Sequence, residues 1–213
     1  MSRILDCTEL DDRPQRIRSA AAALRRGDIG VIPDQSMYTL VCDAFSRTGV
    51  DAIRALKGNS SHPLSILVGK PVTTDGVASN IPKYARDLMS AFWPGPLTLL
   101  LRQQPSLAWP LSSPGVAVRM PLHPVMLDLV RELGPTAATS ANNPGFPPVR
   151  TPAEFEQQLA GEVDVFLDCG PLNDSGRSTV VDATGQFPVV RREGNISPSA
   201  VTEVCAEVMP EGS

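Results

Sequence analysis

The residues from Gly30 to Val68, GVIPDQSMYTLVCDAFSRTGVDAIRALKGNSSHPLSILV, constrain this chain more than any other stretch. A short apolar run closes on Pro33 and reads as a strand that stops abruptly, because proline has no N–H to donate to a ladder. The polar loop Asp34-Gln35-Ser36 follows, then Met37 to Val41, a run rich in strand formers. Val50 to Leu56 carries apolar residues at helical spacing and ends on Lys57-Gly58, a cation and a glycine suited to a helix C-terminus. Ser65 to Val68 reads as another buried strand. Hydroxyl, amide and ammonium groups thus gather at the ends of apolar elements, where α/β folds form pockets.

The rest of the chain surrounds this unit with alternating strands and helices. Residues 1–13 suggest an edge strand, and the alanine-rich Pro14–Arg26 an amphipathic helix closed by Gly27. Gly69 to Asn80 reads as a loop, Ile81 to Phe92 as a helix, and Leu97 to Leu101 as a buried strand after the Trp93-Pro94-Gly95-Pro96 stop. Val116 to Pro121 is a strand that ends on Arg119, and Val125 to Leu133 a helix closed by Gly134. A strand of small residues then runs into Ser140-Ala141-Asn142. Thr151 with Glu154 three residues on is a capping box that starts a helix. Val163–Asp168, Arg177–Asp182 and Pro188–Gly194 are strands, and a short helix follows residue 196. The irregular alternation predicts a mixed α/β fold.

At 213 residues the chain can bury a sizeable core. A net charge of −4 argues against broad coating of nucleic acid but leaves room for a small cationic cleft. Cys7, Cys42, Cys169 and Cys205 are scattered without CxxC spacing, so reduced thiols are expected, with neither a disulfide framework nor a metal site. No cationic, apolar N-terminal signal and no apolar run near 18 residues is present, which predicts a cytoplasmic protein without membrane contact.

Motifs spread along this frame resemble those of the YrdC-like family, the threonylcarbamoyl-AMP synthases. The family pattern Pro-Thr-(Asp/Glu)-Thr-x-Tyr-Gly-Leu, followed after a helix by Lys-x-Arg, is matched at Pro33, Tyr38, Leu40 and Lys57, and Ser36 keeps a hydroxyl. Val118-Arg119-Met120-Pro121-Leu122-His123-Pro124, Ser140-Ala141-Asn142 and Ser178-Thr179-Val180-Val181-Asp182 match three further patterns, and Arg192-Glu193-Gly194 the closing one. The resemblance spans about Arg18 to Ile196. It implies a twisted open mixed sheet flanked by helices, with a large concave cationic cleft, in a single domain over residues 1–213 with a short C-terminal helix and tail from 197.

The resemblance also implies a chemistry: condensation of L-threonine, bicarbonate and ATP, with Mg2+, to threonylcarbamoyl-AMP and pyrophosphate. The product would feed downstream proteins that place the threonylcarbamoyl group on tRNA. Lys57 would neutralise phosphate or carbamate and Arg119 hold the threonine carboxylate, as the catalytic pair. Ser36 and Ser178 would contact threonine or its carbamate. Lys57, Asn59, His62, Ser140, Asn142 and Arg192 would contact the nucleotide. In the first motif Asp34, Gln35, Thr39 and Asn59 stand in for threonine, an acid, glycine and arginine. Asn59 removes a cation and Asp34 adds a negative charge, which predicts a pocket less attractive to ATP; Arg177 would restore one charge if it points inward, a direction the sequence leaves open. The alternative is a diverged relative with another substrate or a role in binding and maturing RNA.

Overall fold

A computed structural model describes residues 2–107, 109–111 and 115–208. The chain begins with β1 (Arg3–Asp6), α1 (Arg13–Arg25), the hairpin β2 (Gly30–Pro33) and β3 (Tyr38–Asp43), α2 (Arg47–Leu56) and β4 (Ser65–Leu67). A 3-10 turn at Pro71–Thr73, the single-turn α3 (Thr74–Val77) and β5 (Ala78–Ser79) occupy the segment expected to be a loop. Then come α4 (Lys83–Phe92), β6 (Leu97–Gln103), β7 (Gly115–Arg119), α5 (Pro124–Leu133) and β8 (Thr136–Ser140). The chain closes with α6 (Pro152–Gln158), β9 (Val165–Asp168), β10 (Thr179–Asp182), β11 (Val189–Arg192) and α7 (Pro198–Val204).

The strands form one mixed sheet in the order β1-β9-β2-β3-β8-β4-β7-β6-β10-β11, with β5 paired to β6. Pairing is parallel at β1·β9, β2·β9, β4·β7 and β6·β10 and antiparallel at the other contacts. Helices cover both faces, which is why the central strands read as continuous apolar runs. Neighbouring residues divide between two cores with the period of a strand. Val31, Leu40, Cys42 and Phe166 join one core, Ile32, Val41, Val165 and Leu167 the other. On the second face α1 lays Ile17, Ala20, Ala21 and Leu24 against Met126, Leu129 and Val130 of α5.

The expected helix signals act as read. Gly27 takes φ +97 just past α1 and Gly134 φ +101 past α5, conformations that cost glycine little. The capping box of α6 is complete: Thr151 Oγ1 accepts from Glu154 N at 3.2 Å, and Glu154 Oε2 accepts from Thr151 N at 3.1 Å. One boundary moves. Pro82 holds extended angles as the residue before α4, so that helix starts at Lys83 rather than Ile81.

Tyr38 anchors the hairpin to β9. Its ring lies 5.0 Å from that of Phe166, which stacks on Phe155 at 4.0 Å. Its hydroxyl donates to Gly170 O at 2.7 Å and accepts from Cys169 N at 3.1 Å. Burial pushes its pKa far above the usual tyrosine value, so it remains a neutral donor. Tyr38→Phe is expected to destabilise the protein by about 1–3 kcal/mol, because two backbone groups lose their partner in a dry site. Urea unfolding of the variant reads this directly, and unchanged stability would mean that water replaces the hydroxyl.

Candidate functional site

A cavity of about 400 Å³ opens where several strand ends meet. The turn of the β2–β3 hairpin contributes Asp34, Gln35, Ser36 and Met37, and β3 itself Thr39. Ser65 and Leu67 of β4, Thr98 of β6, Arg119 of β7 and Ala138, Thr139 and Ser140 of β8 form its floor and wall. Pro148, Gly176, Arg177, Ser178 and Arg192 complete the rim. Register explains the gathering: Thr39 pairs with Ser140 across β3·β8, and Thr98 with Arg119 across β6·β7.

The rim is tied down by side-chain bonds between distant segments. Ser36 Oγ donates to Gly176 O at 2.7 Å, and Ser175 Oγ donates to Gln35 O at 3.1 Å. Arg192 Nε and Nη2 donate to Ser178 O at 3.3 and 3.0 Å. Thr179 Oγ1 donates to Ile196 O at 2.7 Å and accepts from Gly194 N at 3.0 Å, which fastens the segment after β11 to the start of β10.

Five of the expected site residues therefore share one cavity: Ser36, Arg119, Ser140, Ser178 and Arg192. Lys57, Asn142 and His62 form the layer behind the wall. Lys57 Nζ donates to Asn142 O and Asn142 Oδ1, both at 2.8 Å, and Ser140 Oγ donates to the same Oδ1 at 2.7 Å. His62 Nε2 lies 2.9 Å from Thr139 Oγ1, and burial followed by the charges of Lys57 and Arg54 holds its pKa below the usual value. Asn59 stands apart. It is exposed past the end of α2, and its Oδ1 accepts from Ser61 N at 2.9 Å in a local turn.

Two readings of the sequence change here. Asp34 is not a free negative charge facing the cavity. Its carboxylate is gripped by Arg119, Nη1 donating to Oδ1 at 3.3 Å and Nη2 to Oδ2, with side-chain exposures of only 12% for Arg119 and 6% for Asp34. Its negative charge therefore acts by offsetting the charge of Arg119. Thr98, assigned to core and turn chemistry, lines the cavity instead. Arg177, whose direction the sequence left open, also lines it, and its charge, after burial, helps to lower the pKa of Arg192. The lining thus carries Arg119, Arg177 and Arg192 against the one carboxylate of Asp34 among the described residues.

Desolvation brings the Lys57 pKa from 10.5 down to about 8. Between those two values the unfolded chain binds more protons than the folded one, so this group makes stability rise with pH across that window. Lys57→Met removes the contribution. The difference in unfolding free energy, wild type minus Lys57→Met, is therefore expected to grow from pH 8 to pH 10.5. A flat difference in urea titrations across that range would place the ammonium in water rather than behind the wall.

No group of three or more His, Cys, Asp or Glu suited to a metal ion occurs among the described residues. Cys7 and Cys169, far apart in sequence, lie at the matching ends of β1 and β9, with Cys169 Sγ 3.9 Å from Cys7 O. Parallel pairing of chain-distant strands leaves no local spacing signal for such a neighbourhood. No helix is long and apolar enough to cross a membrane among the described residues.

Comparison with known proteins bears on this cavity. The model for Sua5, YciO and YrdC proteins, described as telomere recombination, matches residues 22–194. A Mycobacterium tuberculosis protein, provisionally named a threonylcarbamoyl-AMP synthase, is 40% identical over 207 residues, covering 96% of this chain and 95% of its own. The threonylcarbamoyl-AMP synthase of Bacillus subtilis is 33% identical across 94% of this chain, which spans 59% of that longer protein. The structure of Pyrococcus abyssi Sua5 complexed with L-threonine superposes with a TM-score of 0.88 at 30% identity, covering 97% of this chain and 62% of that one.

Proposed function

The chain belongs to the family of Sua5, YciO and YrdC proteins, and from that membership we propose that it is a threonylcarbamoyl-AMP synthase. The observation that carries this reading is the meeting of residues from four separately matched motifs in one cavity: Arg119, Ser140, Ser178 and Arg192. A relative named for this activity is similar over 96% of the chain, and one neighbour of the same fold was solved with L-threonine. The enzyme uses ATP.

In this reading the threonine amine and bicarbonate first give the carbamate, with loss of water. A carbamate oxygen then forms a bond to the α-phosphorus while the bond to the bridging oxygen breaks. Pyrophosphate leaves with that electron pair. No protein nucleophile takes part, so the protein's work is alignment and charge stabilisation. Arg119 holds the amino-acid carboxylate through donors that Asp34 does not use, Ser36 and Ser178 contact the amino acid or its carbamate, and Arg177 and Arg192 face the phosphates. Lys57 acts one layer back, fixing Asn142 and Ser140 as the nucleotide wall. Mg2+ would screen the phosphate charge and would be bound mostly through phosphate oxygens and water, since no group of three or more His, Cys, Asp or Glu suited to a metal occurs among the described residues. The product passes to proteins that transfer the threonylcarbamoyl group to tRNA, and a single domain carries the whole reaction.

The test is pyrophosphate release from ATP by the purified chain, with mass spectrometry of the product. Release that requires both L-threonine and bicarbonate, with threonylcarbamoyl-AMP formed, is expected. ATP turnover indifferent to either would overturn the assignment in favour of a relative with another acceptor.

A further inference from the structure

The family pattern has a threonine where this chain has Asp34, and the structure shows that this residue is neither solvated nor idle. Asp34 lies in the cavity lining and pairs with the guanidinium of Arg119. Oδ1 accepts from Gln35 N at 2.8 Å and from Arg119 Nη1 at 3.3 Å, whereas Oδ2 accepts from Arg119 Nη2 alone. A carboxylate oxygen accepts two hydrogen bonds readily, so Oδ2 retains one acceptor site. Arg119 has five N–H donors and uses two on Asp34, leaving Nε–H and one hydrogen on each terminal nitrogen without a partner among the described residues. The cavity wall therefore presents an acceptor of negative charge beside donors of positive charge, fixed to one another.

We propose that Asp34 and Arg119 together form a zwitterion receptor, Asp34 taking the α-ammonium group of the amino-acid substrate while Arg119 takes its carboxylate. The inference rests on the amino-acid-binding part of the function proposed above and adds a selectivity element particular to this chain. A lone arginine would hold any small carboxylate. An arginine already paired with a carboxylate attracts a plain anion less, because Asp34 cancels its charge, and it gains affinity only for a ligand that brings its own cation to Oδ2. Discrimination then arises by repulsion as well as attraction. The ion pair also stays satisfied while the site is empty, which a buried unpaired guanidinium would not be.

Two ligands separate this from simpler arrangements: L-threonine, and 3-hydroxybutanoate, which keeps the carboxylate and hydroxyl but has no ammonium group. Calorimetric titration of the wild type is expected to show threonine binding at least about tenfold more tightly, the scale of one charge-assisted bond. In Asp34→Asn, threonine affinity is expected to fall about tenfold or more while 3-hydroxybutanoate binds as well as before or better. Asp34→Thr, the family's own residue, is expected to act as Asp34→Asn does, weakening threonine while 3-hydroxybutanoate binds as well as before or better, and serves if the first variant folds poorly. A purely structural role would weaken both ligands alike, and that result would overturn the proposal. So would tighter threonine binding in Asp34→Asn, which would make Asp34 an internal competitor for Arg119, and so would equal affinities in the wild type. The two readings fail separately. If wild type makes threonylcarbamoyl-AMP but the Asp34 variants do not change the preference, only the receptor falls. If wild type binds a different α-amino acid and loses it in Asp34→Asn, the receptor stands and the threonine assignment falls.

Discussion

Arg119→Ala is expected to abolish threonine-dependent pyrophosphate release and also to lower the unfolding free energy by about 3–5 kcal/mol, the cost of leaving one partner of a buried ion pair uncompensated. From the sequence alone, loss of this arginine would be expected to leave the fold intact, since a cation at a strand end normally reaches water. The structure changes that expectation. Removing Arg119 strands the Asp34 carboxylate in a site where only 6% of its side chain is exposed, with Gln35 N as its remaining donor among the described residues. The stability loss should therefore depend on Asp34. In the double variant Asp34→Thr with Arg119→Ala, both charges go together, and stability is expected to recover part of the way to wild type while activity stays absent. A double-mutant cycle by urea unfolding measures the coupling. An Arg119→Ala variant as stable as the wild type would show that Asp34 reaches water and that the pair contributes nothing to the fold.

This pair also marks where sequence reasoning stops. The elements were legible because each has a local cause: Pro33 ends a strand, Gly27 and Gly134 close helices, Thr151 and Glu154 start one. The site was legible in part, because strand-end hydroxyls and arginines at matched motifs all project toward one end of a twisted sheet. What was not legible is direction and partnership. Asp34 and Arg119 are 85 positions apart, and nothing in either segment's own pattern says that they meet. Lys57, a helix-end cation, would ordinarily point to solvent, yet it turns under β8 to serve Asn142. Asn59, two residues on, turns outward, because the helix ends at Leu56 and Gly58 adopts φ +62. Thr98 looks like a core residue in the run Leu97–Leu101, and only its position opposite Arg119 in the ladder puts it in the cavity lining. Residue type carries the chemistry; the ladder register decides whom it serves.

The second large effect is expected at Gly194, where no charge is involved. The chain after β11 passes so close to the start of β10 that a Cβ there would stand 2.5 Å from Ser178 C and 2.6 Å from Thr179 N, and nearer still to Arg177 O. These are backbone atoms and cannot swing aside. Gly194→Ala must push the segment after β11 away from the start of β10, breaking the bond from Gly194 N to Thr179 Oγ1 and that from Asn195 N to Arg177 O, each 3.0 Å. Overpacking of this kind costs about 1–3 kcal/mol, occasionally more. The functional consequence follows from what the strands carry. Arg177, Ser178 and Arg192 all line the cavity, and Arg192 is aimed by its bond to Ser178 O. Their displacement is expected to weaken ATP by about tenfold, roughly the value of one charge-assisted contact. Gly185, in the turn of the same β10–β11 hairpin, provides the control, since a Cβ there meets nothing nearer than 3.8 Å. Gly185→Ala is expected to leave both stability and ATP affinity close to wild type. Thermal unfolding and calorimetric titration of the two variants side by side decide the matter. If Gly194→Ala behaves like Gly185→Ala, the two strands are held less tightly than the structure indicates, and the rim of the cavity owes its shape to something other than this close approach.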